Sequence, residues 1–182
     1  GTDVLLEAAA RVLAEAPDTR LDIVGDAGSG GHARSYPSLW RELAGGSEVE
    51  ARTTFLGQVD NATLLRHYAR ADVVVVPSRF ESFGLTAIEA MRFGVPAVVT
   101  ATGEMQDIVA DAGCGLVVPP ADADALATAL LELVRSPERR RVLGETGRTA
   151  FAQRYTRERM AEEVERFYRE VRRDAQPATG LV

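Results

Sequence analysis

The strongest constraint on the fold is the run DVVVV at residues 72–76. Four β-branched residues in succession favour a strand, and the lack of polar alternation leaves that strand no face for water. Such strands belong to parallel sheets covered by helices on both faces. Similar short apolar runs recur as LDIVG at 21–25, TTFLG at 53–57, PAVVT at 96–100 and GLVVP at 115–119. Between them lie stretches with helical spacing: 4–16 ahead of Pro17, SLWRELA after Pro37, ATLLRHYA behind Asp60 or Asn61 as cap, 84–93, and a short helix at 104–110. The tail is helical over 122–135, 138–152 and 156–172. Strands alternating with helices over short loops predict an α/β fold. The expected architecture is a Rossmann-like doubly wound parallel sheet in three α/β/α layers with a helical C-terminal tail. One domain is expected over 1–172, with 173–182 frayed. The pattern opens on a helix, so the strand that should come first is absent, and the chain reads as a piece of a longer protein.

A formal net charge of −6 lacks the basic face that a nucleic acid or a membrane surface requires. All 21 basic residues are arginines, which points to codon usage rather than to function. The single cysteine, Cys114, excludes an intramolecular disulfide and fits a small core residue. No apolar run approaches the roughly 18 residues of a membrane span. The start at Gly1 has no signal pattern, and a cytoplasmic location is expected.

Two glycine-bearing loops follow strands. GSGGHA at 28–33 matches the relaxed dinucleotide fingerprint G-x-G-x-x-A, with Gly28 and Gly30 as its key positions. Its fit to a nicotinamide dinucleotide is poor: Asp26-Ala27 separate it from the strand and Tyr36-Pro37 from the helix. A surface loop bordering a ligand cleft is the better reading. The second loop, PSRFESFG, ends the central strand and enters a helix. In a doubly wound sheet, ligands bind outside the carboxyl ends of the strands. The backbone N–H groups of Phe83, Gly84 and Leu85 lie at the helix start, where partners are missing and the dipole favours an anion. Gly84 is expected to let a phosphate approach closely. Glu89, on the helix, tilts back toward the same crevice, and Glu81 flanks the amides from the loop. Carboxylates accept hydrogen bonds from hydroxyls. An anion seat between two carboxylates suits a nucleotide sugar. A glycosidase pair needs carboxylates roughly 5–9.5 Å apart across a cleft, which the strand–turn–helix setting does not favour. With no histidine nearby, no metal is expected.

The stretch PSRFESFGLTAIEAMRFGVPAVVT resembles the retaining glycosyltransferases of family 4, which have the two-domain GT-B fold. Their hallmark is a glutamate pair spaced E-x7-E, matched by Glu81 and Glu89. LDIVGD, FLGQVDN, YARADVVVVPS and GLVVPPAD fit neighbouring family patterns in order, so the likeness covers nearly all of 1–172. The resemblance implies that Glu89 holds the ribose hydroxyls and that Glu81 is the catalytic-site carboxylate contacting the transferred sugar. The amides at Ser82, Phe83, Gly84 and Leu85 would bind the distal phosphate and sugar. Gly25 would border the diphosphate, and Val59 and Asn61 would lie beside the nucleobase. It implies transfer with retention from a UDP- or GDP-linked sugar, with no cofactor or metal, and GQVDN tilts the donor toward GDP-mannose. Two departures stand out. Gly103-Glu104 replaces a common Gly-Gly, and the Arg/Lys pair for the diphosphate precedes the G-x-D-x-L-L-E-A that begins at Gly1, as does the acceptor-binding N-terminal domain. The chain is therefore expected to be a donor-binding half that is inactive alone. A non-catalytic nucleotide-sugar module is the alternative, and a nicotinamide-binding domain a weaker one.

Other residues have plainer expectations. Trp40 is read as core, and His32 and His67 as exposed. Arg79, the basic residue closest to the amides, and RSPERRR at 135–141 are read as solvated. In helix 156–172, Met160, Val164, Phe167 and Val171 form an apolar stripe suited to the other domain or to self-association.

Overall fold

A computed structural model of the chain describes residues 1–26 and 35–174. The GSGGHA loop, with His32, and the last residues of the expected tail lie outside the described residues. The elements are α1 (Thr2–Glu15), β1 (Leu21–Val24), α2 (Tyr36–Leu43), α3 (Ser47–Glu50), β2 (Thr53–Gly57), α4 (Asn61–Arg70), β3 (Val74–Val76) and α5 (Leu85–Phe93). They continue with β4 (Ala97–Thr100), α6 (Met105–Ala112), β5 (Gly115–Val118), α7 (Ala123–Arg135), α8 (Pro137–Arg154) and α9 (Arg157–Asp174). All strand pairings are parallel, as the unalternated apolar runs require. α9 runs through the expected boundary at residue 172.

Helices cover both faces. On one, Val4, Leu5, Ala8 and Val12 of α1 pack with Leu126, Leu130 and Leu133 of α7 against Val98. On the other, Ile88 and Met91 of α5 and Val109 of α6 pack against Ala97 and Val99. The period-two alternation of β4 thus sends neighbouring side chains to opposite layers. A third cluster joins Leu6 and Leu13 of α1 to the buried Trp40, with Ile23 and Phe55 beside it.

The strands form two sheets rather than one, β1–β2 and β3–β4–β5. The fully buried strand is therefore β4, not the DVVVV run. That run contributes only Val74–Val76, and Val73, Val74 and Val75 are half-buried because, among the described residues, β3 has no strand beside it opposite β4.

Local chemistry sets the helix ends. Asp60 caps α4 by accepting from the Thr63 N–H at 2.7 Å, and Asp122 caps α7 by accepting from Ala125 at 2.8 Å. Arg52 closes the other end of α1, donating to the carbonyls of Leu13 at 2.7 Å and Pro17 at 2.8 Å. The expected solvated run at 135–141 is solvated only in part. Arg141 pairs with Glu138 and Glu145 on the surface, but Arg140 folds inward and donates to the carbonyls of Leu133 and Val134. On α9, Met160, Val164, Phe167 and Val171 all stay exposed. Among the described residues no helix is long and apolar enough to cross a membrane.

Candidate functional site

Residues 77–84 leave the carboxyl end of β3 and enter α5, and three neighbours fix this loop. The Thr100 hydroxyl, buried at the end of β4, donates to the Ser78 carbonyl at 2.5 Å. Gly103 follows in the left-handed region at φ +52°, and a Cβ there would lie 1.9 Å from the Glu81 carbonyl oxygen. From α1, the Asp3 carboxylate receives both arms of the Arg79 guanidinium at 2.8 and 2.5 Å. Partial burial pushes the Asp3 carboxyl up, but the Arg79 hydrogen bond and charge outweigh it and hold it below the usual carboxylate range. Arg79 is thus exposed, as expected, and also clamps α1 to the loop.

The amides at the helix start are not all free. Glu81 folds back so that Oε1 accepts from the N–H of Ser82 at 3.0 Å and of Phe83 at 3.3 Å. Gly84 is the residue before α5 rather than its first, and its φ of +94° is one that L side chains rarely adopt. A Cβ on Gly84 would lie 2.7 Å from the Met105 Cβ. The glycine is therefore required by its backbone and by the approach of α6. Met105 packs against the position that a Gly84 side chain would take. Phe83 and Leu85 present exposed apolar side chains on either side of it.

Glu89 lies one turn into α5, half-buried and turned toward α4. The Tyr68 hydroxyl donates to its Oε2 at 2.8 Å. Tyr68 is itself buried, with its ring stacked on Phe93 at 5.7 Å. Burial, and then the Glu89 carboxylate, push the Tyr68 hydroxyl well above its ordinary pKa, so it remains a donor. Glu81 and Glu89 flank Gly84 as expected but face different partners.

The other expected residues lie at the carboxyl ends of β1 and β2. Gly25 has φ +126° and donates to the Gly57 carbonyl at 2.9 Å, with open space where a side chain would be. Val59 is half-buried in the turn after β2, and Asn61 is the exposed first residue of α4. His67 is half-buried, not exposed, with Nδ1 3.2 Å from the Asp22 carboxylate. Among the described residues no group of His, Cys, Asp and Glu could hold a metal ion.

The family model for glycosyl transferases group 1 matches residues 1–150. The chain belongs to this family. It is 38% identical over 168 residues to a D-inositol 3-phosphate glycosyltransferase of Corynebacterium aurimucosum, covering 92% of this chain and 39% of the relative. Among solved structures, a sucrose-phosphate synthase from Thermosynechococcus elongatus superposes with a TM-score of 0.75 at 34% identity, covering 93% of this chain and 43% of that one. The C-terminal domain of a glycosyl transferase group 1 family protein from Francisella tularensis superposes with a TM-score of 0.77 at 25% identity, covering 86% and 80%. The fold is thus Rossmann-like α/β/α, as in GT-B glycosyltransferases, and the chain spans about two fifths of the curated relative's length.

In this glycosyl transferases group 1 chain, sequence reasoning located the Glu81–Glu89 segment but missed the residues that hold it. Thr100, Asp3 and Tyr68 act from other elements, 22, 76 and 21 positions from their partners. All three stand in stretches quoted as family patterns, Asp3 in G-x-D-x-L-L-E-A, Tyr68 in YARADVVVVPS and Thr100 at the end of PSRFESFGLTAIEAMRFGVPAVVT, but none of them was singled out.

Proposed function

We propose that this chain is the donor-binding half of a retaining glycosyltransferase that takes a sugar from a nucleotide diphosphate. One observation carries the reading. Within a chain of this family, backbone amides at the carboxyl end of β3 are flanked by the carboxylates of Glu81 and Glu89. Glu89, held by Tyr68, is placed to accept from ribose hydroxyls. Glu81, once released from the Ser82 and Phe83 amides, accepts from hydroxyls of the transferred sugar. Those amides then face the distal phosphate, where they stabilise charge growing on the departing diphosphate. Gly25 borders the diphosphate, and Val59 and Asn61 the base. With Arg79 clamped to Asp3, the positive charge this chemistry needs is left to parts of the full enzyme outside residues 1–182. By itself the chain binds donor weakly and does not transfer it. Acceptor selection falls to a separate domain. GQVDN favours GDP-mannose among UDP- and GDP-linked donors.

A thermal-shift panel of UDP-, GDP- and ADP-sugars tests the reading. A donor at 100 times its Kd stabilises by about 2.7 kcal/mol, which for a chain of this size raises Tm by about 5–10 °C. Glu89→Ala should abolish the shift without lowering the unliganded Tm by more than a few degrees. A shift that survives both Glu81→Ala and Glu89→Ala, or none with any donor at millimolar concentration, refutes the assignment.

A further inference from the structure

A pocket of about 320 Å³ lies on the outer edge of β2, between that strand, α2 and α3. Pro37 and Trp40 of α2 and Phe55 of β2 give it an apolar wall. Arg41 and Glu50 stand at its rim, with the guanidinium Nε 3.4 Å from the carboxylate, and both side chains reach solvent. Ser47 of α3 adds a hydroxyl. Thr53 adds a second, whose oxygen is shielded from solvent and has no hydrogen-bond partner among the described residues. A buried hydroxyl without a partner costs free energy that a supplied hydrogen bond returns. The backbone contributes as well. Among the described residues β2 pairs only with β1. Leu21 donates to the Arg52 carbonyl and stands opposite Thr53. In a parallel ladder successive residues turn their N–H and C=O groups to alternate sides, so Thr53 and Phe55 turn theirs to the open edge.

We propose that this pocket is a binding site for one neutral sugar ring, separate from the loop at 77–84. Each feature selects for that class. Glu50 at the rim opposes an anion and Arg41 opposes a cation, so the occupant carries no net charge. A carboxylate accepts hydrogen bonds, a guanidinium donates them, and the two hydroxyls do both. A sugar hydroxyl also does both and therefore matches any of these groups. The ring carbons of a pyranose present an apolar face that suits Pro37 and Phe55. The volume sits at the low end of ligand pockets, roughly 300–1,000 Å³, which admits one ring rather than a chain. A docked β-strand is disfavoured, since the open edge offers only Thr53 and Phe55 before the β1–β2 register shifts. A step to another staggered χ1 well lets the Thr53 hydroxyl meet a ligand hydroxyl. Thr53 opens β2, whereas the 77–84 loop leaves the carboxyl end of β3. The inference thus rests on this pocket's own groups and not on the donor reading.

Trp40 is the chain's single tryptophan, and its Nε1 lies 3.4 Å from the Glu50 carbonyl oxygen, so its indole N–H resonance reports on the pocket. The 182-residue chain is titrated with D-glucose, D-mannose and D-galactose, and separately with benzoate and trialanine. At least one sugar should move the Trp40 resonance saturably, with half-saturation at about 1–10 mM. Thr53→Val removes the hydroxyl and should weaken that binding by about threefold to tenfold while leaving Tm unchanged or higher. Ser47→Ala, on the exposed surface of α3, should weaken it by a similar factor with no risk to the core. Weaker binding in either variant supports the site, and undiminished binding in both overturns it. Binding of benzoate or trialanine as tight as that of any sugar makes the pocket an anion or peptide site and overturns the proposal. Sugar binding that is lost in Glu89→Ala but kept in Thr53→Val belongs to the 77–84 loop and overturns it too, as does a Trp40 resonance that no probe moves.

Discussion

The contact between Gly103 and the Glu81 carbonyl predicts that Gly103→Ala damages both stability and ligand binding, and Gly113→Ala supplies the control. Both glycines are left-handed, at φ +52° and +59°. An alanine at either site pays the left-handed strain of about 1–2 kcal/mol. At Gly113 nothing more is added, because the nearest atom to the new Cβ is Thr146 Cγ2 at 3.9 Å. At Gly103 the Cβ would stand 1.9 Å from a backbone oxygen, where real contacts essentially never fall below 3.0 Å, so the 77–84 loop must retreat by about 1 Å. Overpacking of this kind costs about 1–3 kcal/mol more. At about 2–4 °C per kcal/mol for this chain length, Gly113→Ala should lower Tm by about 2–8 °C. Gly103→Ala should lower it by about 4–20 °C. The displaced backbone carries Glu81, so Gly103→Ala should also lose most of the donor-induced shift, while Gly113→Ala keeps it. Urea denaturation and thermal melts with and without donor read both quantities. Equal losses in the two variants would show that the turn after β4 does not press on the loop, and the reasoning would fall.

Three further outcomes are expected. Arg52→Ala removes charged hydrogen bonds to the Leu13 carbonyl in the last turn of α1 and to the Pro17 carbonyl just beyond it, and should cost about 2 kcal/mol in urea denaturation, with no change in donor affinity relative to stability. Tyr68→Phe keeps the ring on Phe93 but frees the Glu89 carboxylate, and should weaken donor binding by about threefold to tenfold in titration calorimetry while lowering stability by about 1 kcal/mol. Burial pushes the Cys114 thiol up to about 11 from 9.0, so the unfolded chain releases this proton first and stability should fall as pH rises from about 9 toward 11. Cys114→Ala should flatten that part of the pH–stability curve, whereas Tyr68 adds a loss of the same sign above about 10.

The layered architecture was legible because unalternated strands and periodic helices state burial on both faces directly in residue order. The division of the sheet was not, because a strand's neighbours lie outside its own residues. The DVVVV run has the composition of a mid-sheet strand, yet with no strand among the described residues on one edge it orders only three residues as strand. At the site, local reasoning left two things out. Gly84 was read only as room for a ligand, but its left-handed φ and the approach of Met105 from α6 require a glycine there as well. The amides looked unpartnered because helix-end reasoning counts only the backbone, and the Glu81 side chain is two residues or fewer from each of them. Arg52 and Arg79 reach partners 39 and 76 positions away, a distance over which sequence pattern is silent.

The fold-back of Glu81 bears on how such a site would discriminate. An anion entering the cradle exchanges with a carboxylate already seated on the Ser82 and Phe83 amides, so its gain is the difference between two anion–amide interactions rather than the whole of one. Inorganic phosphate evicts the carboxylate and offers it no partner in return. A sugar phosphate evicts it and presents hydroxyls for it to grip. On the proposed donor-binding reading, the side chain that blocks the seat would act as a filter, favouring anions that carry hydroxyl groups with them.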